Sequence, residues 1–161
     1  MSDFVIRPIK ETDRSQIRAI LTERWGSSII VSRGIIHEAD KLPGFIAEEN
    51  GRLVGLVTYE IKSKGCEIIT LNSFRENMGI ASALIEKVKN IAGDAGCGRL
   101  WLITTNDNLK AVGFYQKRGF RLRAIYPAAI EKSRRLKPEI PKIGCEGIPI
   151  WDEIELVVDI K

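Results

Sequence analysis

The stretch that decides the fold is "RENMGIASALI", residues 75–85. It follows an extended run, "EIITLNS" (67–73), and passes through Met78 and Gly79 into an amphipathic helix. A strand, a glycine turn and an exposed helix N-terminus form an anion site. The first-turn N–H groups have no partner within the helix, and the helix dipole favours negative charge. Here the turn and first helical residues are Asn77, Met78, Gly79, Ile80, Ala81 and Ser82. The amides from Asn77 to Ala81 face such a ligand, and Gly79 and Ala81 keep side chains out of its way. A purely structural turn has the same shape, so the stretch alone leaves both readings open. It is not a nucleotide-binding P-loop, because no Gly-Lys-Ser/Thr follows. It is not the dinucleotide fingerprint either, since the other glycines are missing.

The helix that follows carries Ala81, Leu84, Ile85, Val88 and Ala92 on one stripe and Glu86, Lys87, Lys89 and Asn90 opposite, and "AGCG" stops it. Upstream, "GFIAEENGRLVGLVTYEIK" (44–62) predicts a hairpin, because Asn50-Gly51 accepts positive φ at both central positions. "GCEIITL" adds a third strand to an antiparallel meander. Downstream, "RLWLITT" (99–105) is almost continuously apolar, as a strand covered on both faces would be. Coming after a strand and a helix, it is expected to lie parallel to "CEIITL" through a right-handed crossover. "NDN" (106–108) caps another helix, "LKAVGFYQKR", closed by Gly119; "FRLRAIY" and "WDEIELVVDI" are the last strands. Near the N-terminus, "DFVIRPI" reads as a strand. Thr12-Asp13 then caps a helix with Ile17, Ile20 and Leu21 on one face. Residues 25–42 read as a short helix plus loop, and 127–150 as a long connection with a helical start. The expectation is a single α/β domain over residues 1–161, with a mixed central sheet and helices on both faces.

The chain has 161 residues, a net charge of +4 and 44% hydrophobic residues, enough for one domain with a real core. No apolar run is long enough to span a membrane, and "MSDFVIRPIK" has no apolar signal core. Cys66, Cys97 and Cys145 are scattered without metal-binding spacing, so no metal is expected and a reducing, cytoplasmic setting is. They read as buried or incidental rather than nucleophilic. Between 118 and 137, Arg118, Arg121, Arg123, Lys132, Arg134, Arg135 and Lys137 face the single acid Glu131. Such a run reads as a solvated face or as an attractor of an anionic cofactor, an acidic substrate or nucleic acid.

Residues 44–120 resemble the GCN5-related N-acetyltransferase (GNAT) superfamily. "ENMGIASALI" matches the last two fixed positions of the pyrophosphate-binding pattern Gln/Arg-x-x-Gly-x-Gly/Ala. "NLKAVGFYQKRGF" (108–120) matches Asn-x-x-Ala-x-x-Phe-Tyr-x-x-x-Gly-Phe, and "CEIITL" falls where the family's fourth strand meets pantetheine. The tail "GIPIWDEIEL" also looks like that of small bacterial members. The resemblance implies an acyl-CoA N-acyltransferase fold and direct acetyl transfer from acetyl-CoA to an amine. It implies a cofactor-binding core over about 44–120 and acceptor-side segments at about 25–42 and 127–150. One departure stands out: the first motif position holds Glu76 where Gln or Arg is usual, and this acid is expected to point away from the phosphates.

By the same resemblance, Tyr115 is the candidate acid to the CoA sulfur, with a place in the helix core as the competing reading. Leu71, Asn72 and Ser73 offer backbone groups to pantetheine, and Asn108 both caps its helix and reaches the cofactor. Glu67 is the general-base candidate, because a charged residue on a central strand is costly unless paired or functional. Substrate binding or plain solvation at the strand's start are its alternatives. His37, the only histidine, is expected to be a surface or loop residue; it lies with Trp25 and Arg33 in the segment bordering the family's acceptor site. The partners expected are acetyl-CoA and an amine, with a homodimer also compatible. A non-catalytic acyl-CoA-binding module is the first rival reading. A nucleic-acid-binding protein using the basic run is the second and weaker one, since the run has little aromatic interleaving for single-strand stacking.

Overall fold

A computed structural model describes residues 3–76 and 78–161. Its elements in chain order are β1 (Val5–Pro8), α1 (Arg14–Trp25), β2 (Ile29–Ser32), β3 (Ile35–Glu38), β4 (Gly44–Glu49), β5 (Arg52–Lys62) and β6 (Gly65–Ser73). There follow α2 (Ile80–Asp94), β7 (Arg99–Thr105), α3 (Leu109–Gln116), β8 (Arg121–Tyr126), α4 (Ala129–Leu136) and β9 (Glu153–Asp159). Seven strands form one mixed sheet in the order β1-β4-β5-β6-β7-β9-β8. The Asn50-Gly51 turn joins β4 to β5 with φ of 51° and 76°, as the dipeptide predicts. The crossover through α2 makes β6 and β7 the parallel pair.

That pair is short. β6 and β7 are in register only from Gly65↔Arg99 to Ile68↔Leu102. Beyond it β6 continues to Ser73 on β5 alone, and β7 continues to Thr105 on β9 alone. The sheet therefore splits into two halves that part like a V, and β6 presents an open backbone edge from Ile69 onward.

Each face has its own core. Leu84, Ile85, Val88 and Ala92 of α2 pack with Tyr115 and Phe120 against Cys66, Ile68, Leu100, Leu102 and Leu156. Ile17 and Leu21 of α1 pack with Ala39, Ile46 and Leu56 on the other face, with Ile69 against them. Gly55 lets α2 seat closely: a Cβ there would lie 2.5 Å from Ile80 Cγ2. Because Gly55 pairs with Ser73, this contact fixes the N-terminus of α2 beside the exit of β6.

Three local expectations are corrected. Residues 25–42 form no α-helix after Trp25, only one 3-10 turn at Ala39–Lys41; β2 and β3 make a separate hairpin turning on Arg33 and Gly34, with φ of 50° and 74°. "RLWLITT" is fully covered on one face only, by Leu100 and Leu102, while Trp101 and Ile103 are half-buried. Asp13 stands at the N-cap of α1 but makes no cap bond there. Its carboxylate instead takes two bonds from Arg7, at 2.7 and 2.9 Å, and one from the Lys10 amide. Charge-assisted bonds outweigh the neutral cap, and Arg7 holds the Asp13 carboxyl down at about 2.

Candidate functional site

The open edge of β6 and the mouth of α2 form one continuous surface. Gly79 is the N-cap of α2 at φ 73°, and a Cβ added to it would meet nothing within 4 Å. The first turn of α2 carries no acid. Ala83 N–H bonds Gly79 C=O at 3.0 Å, while the N–H groups of Ile80, Ala81 and Ser82 have no backbone acceptor among the described residues. The Ser82 hydroxyl is engaged elsewhere: Arg118 Nε donates to it at 2.7 Å while its guanidinium covers the Phe114 ring. Met78 packs against the core under α2. Asn77 lies outside the described residues. Glu76 is turned outward, 83% exposed at its side chain and 3.8 Å from Lys110 Nζ. Its departure from the usual Gln or Arg thus leaves the mouth of the helix open.

Leu71, Asn72 and Ser73 occupy the run of β6 that pairs with β5 but not with β7. The Asn72 side-chain oxygen is buried without a hydrogen-bond donor among the described residues. An orphaned acceptor beside an open strand edge suits a ligand that brings amide N–H groups, as pantetheine does. At the far side of the V, Asn108 caps α3 by accepting from Ala111 N–H at 3.3 Å. Tyr115 follows two turns later, 8% exposed and edge-on to both Phe114 and Phe120. Burial raises its hydroxyl above the usual phenol range and Arg118 only partly offsets this, so the phenol is neutral.

The opposite face carries a constellation that the sequence does not announce. Glu67 is 8% exposed, not solvated at a strand end. Ser32 Oγ donates to its Oε2 at 2.5 Å. Its rung partner across the sheet is Glu60. Arg33 donates through its backbone N–H and guanidinium to Glu153, at 3.2 and 3.1 Å, and lies over the Tyr126 ring. The Tyr126 hydroxyl donates to Glu155 at 2.7 Å, and Arg123 approaches the same carboxylate at 3.5 Å. Burial pushes the Glu67 carboxyl up to about 7; the Ser32 bond opposes this, and Glu60, Glu153 and Glu155 add like charge. Four carboxylates therefore converge beneath the β2–β3 hairpin, and Glu67 is the one held only by a neutral hydroxyl among the described residues.

His37 is a correction. It is 4% exposed, with Nδ1 3.7 Å from Glu60 and Nε2 buried without a partner. Burial lowers its proton affinity, partly offset by Glu60, so it is neutral. Trp25 ends α1 and is exposed. Cys66 and Cys97 are buried, and burial pushes the Cys66 thiol up to about 12, which leaves no thiolate. The basic run is also taken apart by the fold. Arg118 serves α2 and α3, Arg123 pairs with Glu155, Arg134 binds the carbonyls of Ile140, Pro141 and Ile150, and buried Lys137 donates to Ile29 C=O.

Sequence reasoning missed Ser32, Glu60, Glu153 and Glu155. Only the last two left a signal, the alternating acids of "DEIEL", and that pattern equally describes a strand with one wet face. It also gave Asn106 and Asp107 no role beyond the cap. Asn106 in fact binds Pro149 C=O and the amides of Trp151 and Asp152, while Asp107 accepts from the Cys145 amide. The strand end that opens the V thus pins the 138–152 connection over it.

No group of ligating side chains set to hold a metal ion occurs among the described residues, and no described helix is long and apolar enough to cross a membrane. The profile of the Acetyltransferase (GNAT) family matches residues 11–120. The uncharacterized protein YdhI of Bacillus subtilis (strain 168) is 45% identical over 152 residues, covering 94% of this chain and 95% of YdhI. Among solved structures, an IAA acetyltransferase from Bacillus cereus ATCC 14579 aligns with a TM-score of 0.73 at 21% identity, over 97% of this chain and 99% of its own. A GNAT family acetyltransferase from Elizabethkingia anophelis with acetyl-CoA bound aligns with a TM-score of 0.71 at 19% identity, over 99% of both chains.

Proposed function

Because the chain belongs to the GNAT acetyltransferase family, we propose that it is an N-acetyltransferase that moves the acetyl group of acetyl-CoA directly to an amine. The observation that carries this reading is the V between β6 and β7, open beside the free N–H groups of α2. In this reading the pyrophosphate lies on the amides of Gly79 to Ser82. Pantetheine runs along Leu71–Ser73, with an amide N–H meeting Asn72 Oδ1. The thioester then reaches the gap between the half-sheets, where the two faces of the molecule communicate.

Amine acylation needs a neutral nucleophile and a protonated leaving group. Glu67 takes one proton from the incoming ammonium. The amine nitrogen then bonds to the thioester carbon and the C–S bond breaks. Tyr115 gives its proton to the departing sulfur, and a proton shed by the new amide nitrogen restores it. Glu67, with its carboxyl at about 7, is matched to a base working near neutrality. The acceptor-side segment 25–42 reaches Glu67 through Ser32 and its neighbour Glu153 through Arg33. The unpaired Glu67 and the dispersal of the basic run both favour an amine over an acidic acceptor or nucleic acid.

Calorimetric titration with acetyl-CoA, followed by thiol release across a panel of primary amines, tests the reading. Micromolar binding and amine-dependent thiol release are expected. Binding without release for any amine would favour an acyl-CoA-binding module, and no binding up to millimolar acetyl-CoA would overturn both.

A further inference from the structure

The β2–β3 hairpin belongs to no described motif, yet it delivers a hydroxyl to the buried carboxylate at the heart of the acceptor face. We infer that Ser32 is a positioning residue for the base: its hydroxyl holds Glu67 Oε2 and leaves Oε1 as the oxygen that takes the amine's proton. This rests on the role of Glu67 proposed above.

The geometry is specific. Ser32 and Glu67 are both buried, and their oxygens lie 2.5 Å apart. Ser32 is the last residue of β2, and its neighbour Arg33 is clamped at both backbone and guanidinium to Glu153. Lys137 Nζ holds the start of the same strand through Ile29 C=O at 2.7 Å. The hairpin is thus seated at both ends of β2, and Ser32 has little freedom to leave.

The surroundings give the bond its consequence. Glu67 faces Glu60 from β5 and Glu153 and Glu155 from β9. Arg33 from the hairpin and Arg123 from β8 answer the last two, while Tyr126 also donates to Glu155. His37 from β3 and Lys62 from β5 lie beside Glu60. None of these cations pairs with Glu67. A donor to a carboxylate stabilises its ionised form, so Ser32 is, among the described residues, the contact that keeps Glu67 available as a base near neutrality. It also selects one carboxylate rotamer, which fixes where the proton is taken.

The test uses the full chain with Ser32→Ala, Ser32→Cys and Ser32→Thr. The midpoint of the Glu67 side-chain carboxyl is read by NMR of the carbon-13-labelled protein. Loss of the hydroxyl is expected to raise that midpoint by about one pH unit. Cysteine, a weak donor, should give an intermediate value, and threonine should restore the wild-type one. The acid limb of kcat/KM for the acceptor amine should move with the midpoint, and the plateau above it should fall in the alanine variant, whose carboxylate is no longer held in one rotamer, and recover in the threonine variant. An unmoved midpoint in both the alanine and cysteine variants overturns the inference, as does a fall in rate that is equal at every pH and leaves the acid limb where it is in wild type. Wild-type activity in Glu67→Gln would instead overturn the base role itself. A failure to bind acetyl-CoA would overturn the enzyme reading, so the three failures are distinct.

Discussion

The two sides of the V are built by different means. In the proposed reading the ligand surface on the cofactor side is backbone: the first-turn amides of α2 and the open edge of β6. On the acceptor side it is side chains drawn from β2, β5, β6 and β9, with partners as far apart as Arg33 and Glu153. A backbone site tolerates change wherever the chain path survives, whereas a convergent side-chain site depends on each group. Substitutions on the two sides should therefore separate cleanly, one set moving acetyl-CoA affinity and the other the chemistry and its pH dependence.

Glu67→Gln is the strongest test of that separation. It should lower kcat/KM for the amine by about 10²–10⁴ and leave acetyl-CoA affinity unchanged in calorimetry. Wild-type kcat/KM should rise with pH through about 7 and then level. The same variant should gain stability. The Glu67 carboxyl is raised from 4.5 to about 7 in the folded chain. The native state therefore holds a proton that the unfolded chain has released, and stability falls as pH rises between those values. Urea unfolding should find Glu67→Gln near wild type at pH ~4 and more stable by about 1–3 kcal/mol at pH ~8.

Tyr115→Phe should lower kcat by about 10²-fold if the phenol protonates the sulfur. The thermal midpoint should barely move, because the ring contacts with Phe114 and Phe120 remain. An unchanged kcat would reduce Tyr115 to a core residue. Gly79→Val acts on the cofactor side alone. A β-branched residue at φ 73° should reduce stability by about 1–2 kcal/mol and weaken acetyl-CoA binding about tenfold or more, with the pH midpoint of kcat/KM unmoved. The smallest effect is expected from Glu76→Gln. With its carboxylate outward beside Lys110, acetyl-CoA affinity should change by less than about threefold. A gain above tenfold would show that the acid faces the phosphates after all.

What could be read in advance follows the same division. The Asn50-Gly51 hairpin, the Asn108 cap, the stripe of α2 and the glycine at its mouth are settled by residues within a few positions of one another. The β2–β3 hairpin was not legible. Its strands have four residues each, and a two-stranded ribbon is marginal alone. What holds it is distant: Glu153, Glu67 and Lys137. Its one local mark was Arg33-Gly34 between two apolar pairs, which the mixed composition of 25–42 obscured. His37 was misplaced for the same reason, because its burial comes from the sheet beneath the hairpin.

The sequence by itself determined the order of strands and helices outside residues 25–42, the meander, the crossover and the anion-ready turn. Each of these follows from side-chain period and from the backbone preferences of single residues. Only the tertiary structure decided that the sheet parts after Ile68 and Leu102, that Glu67 is buried, and that Ser32, 35 residues away, is the group that holds it. Proton affinity depends on what surrounds a carboxyl in space, and that surrounding exists only once the chain has closed over it.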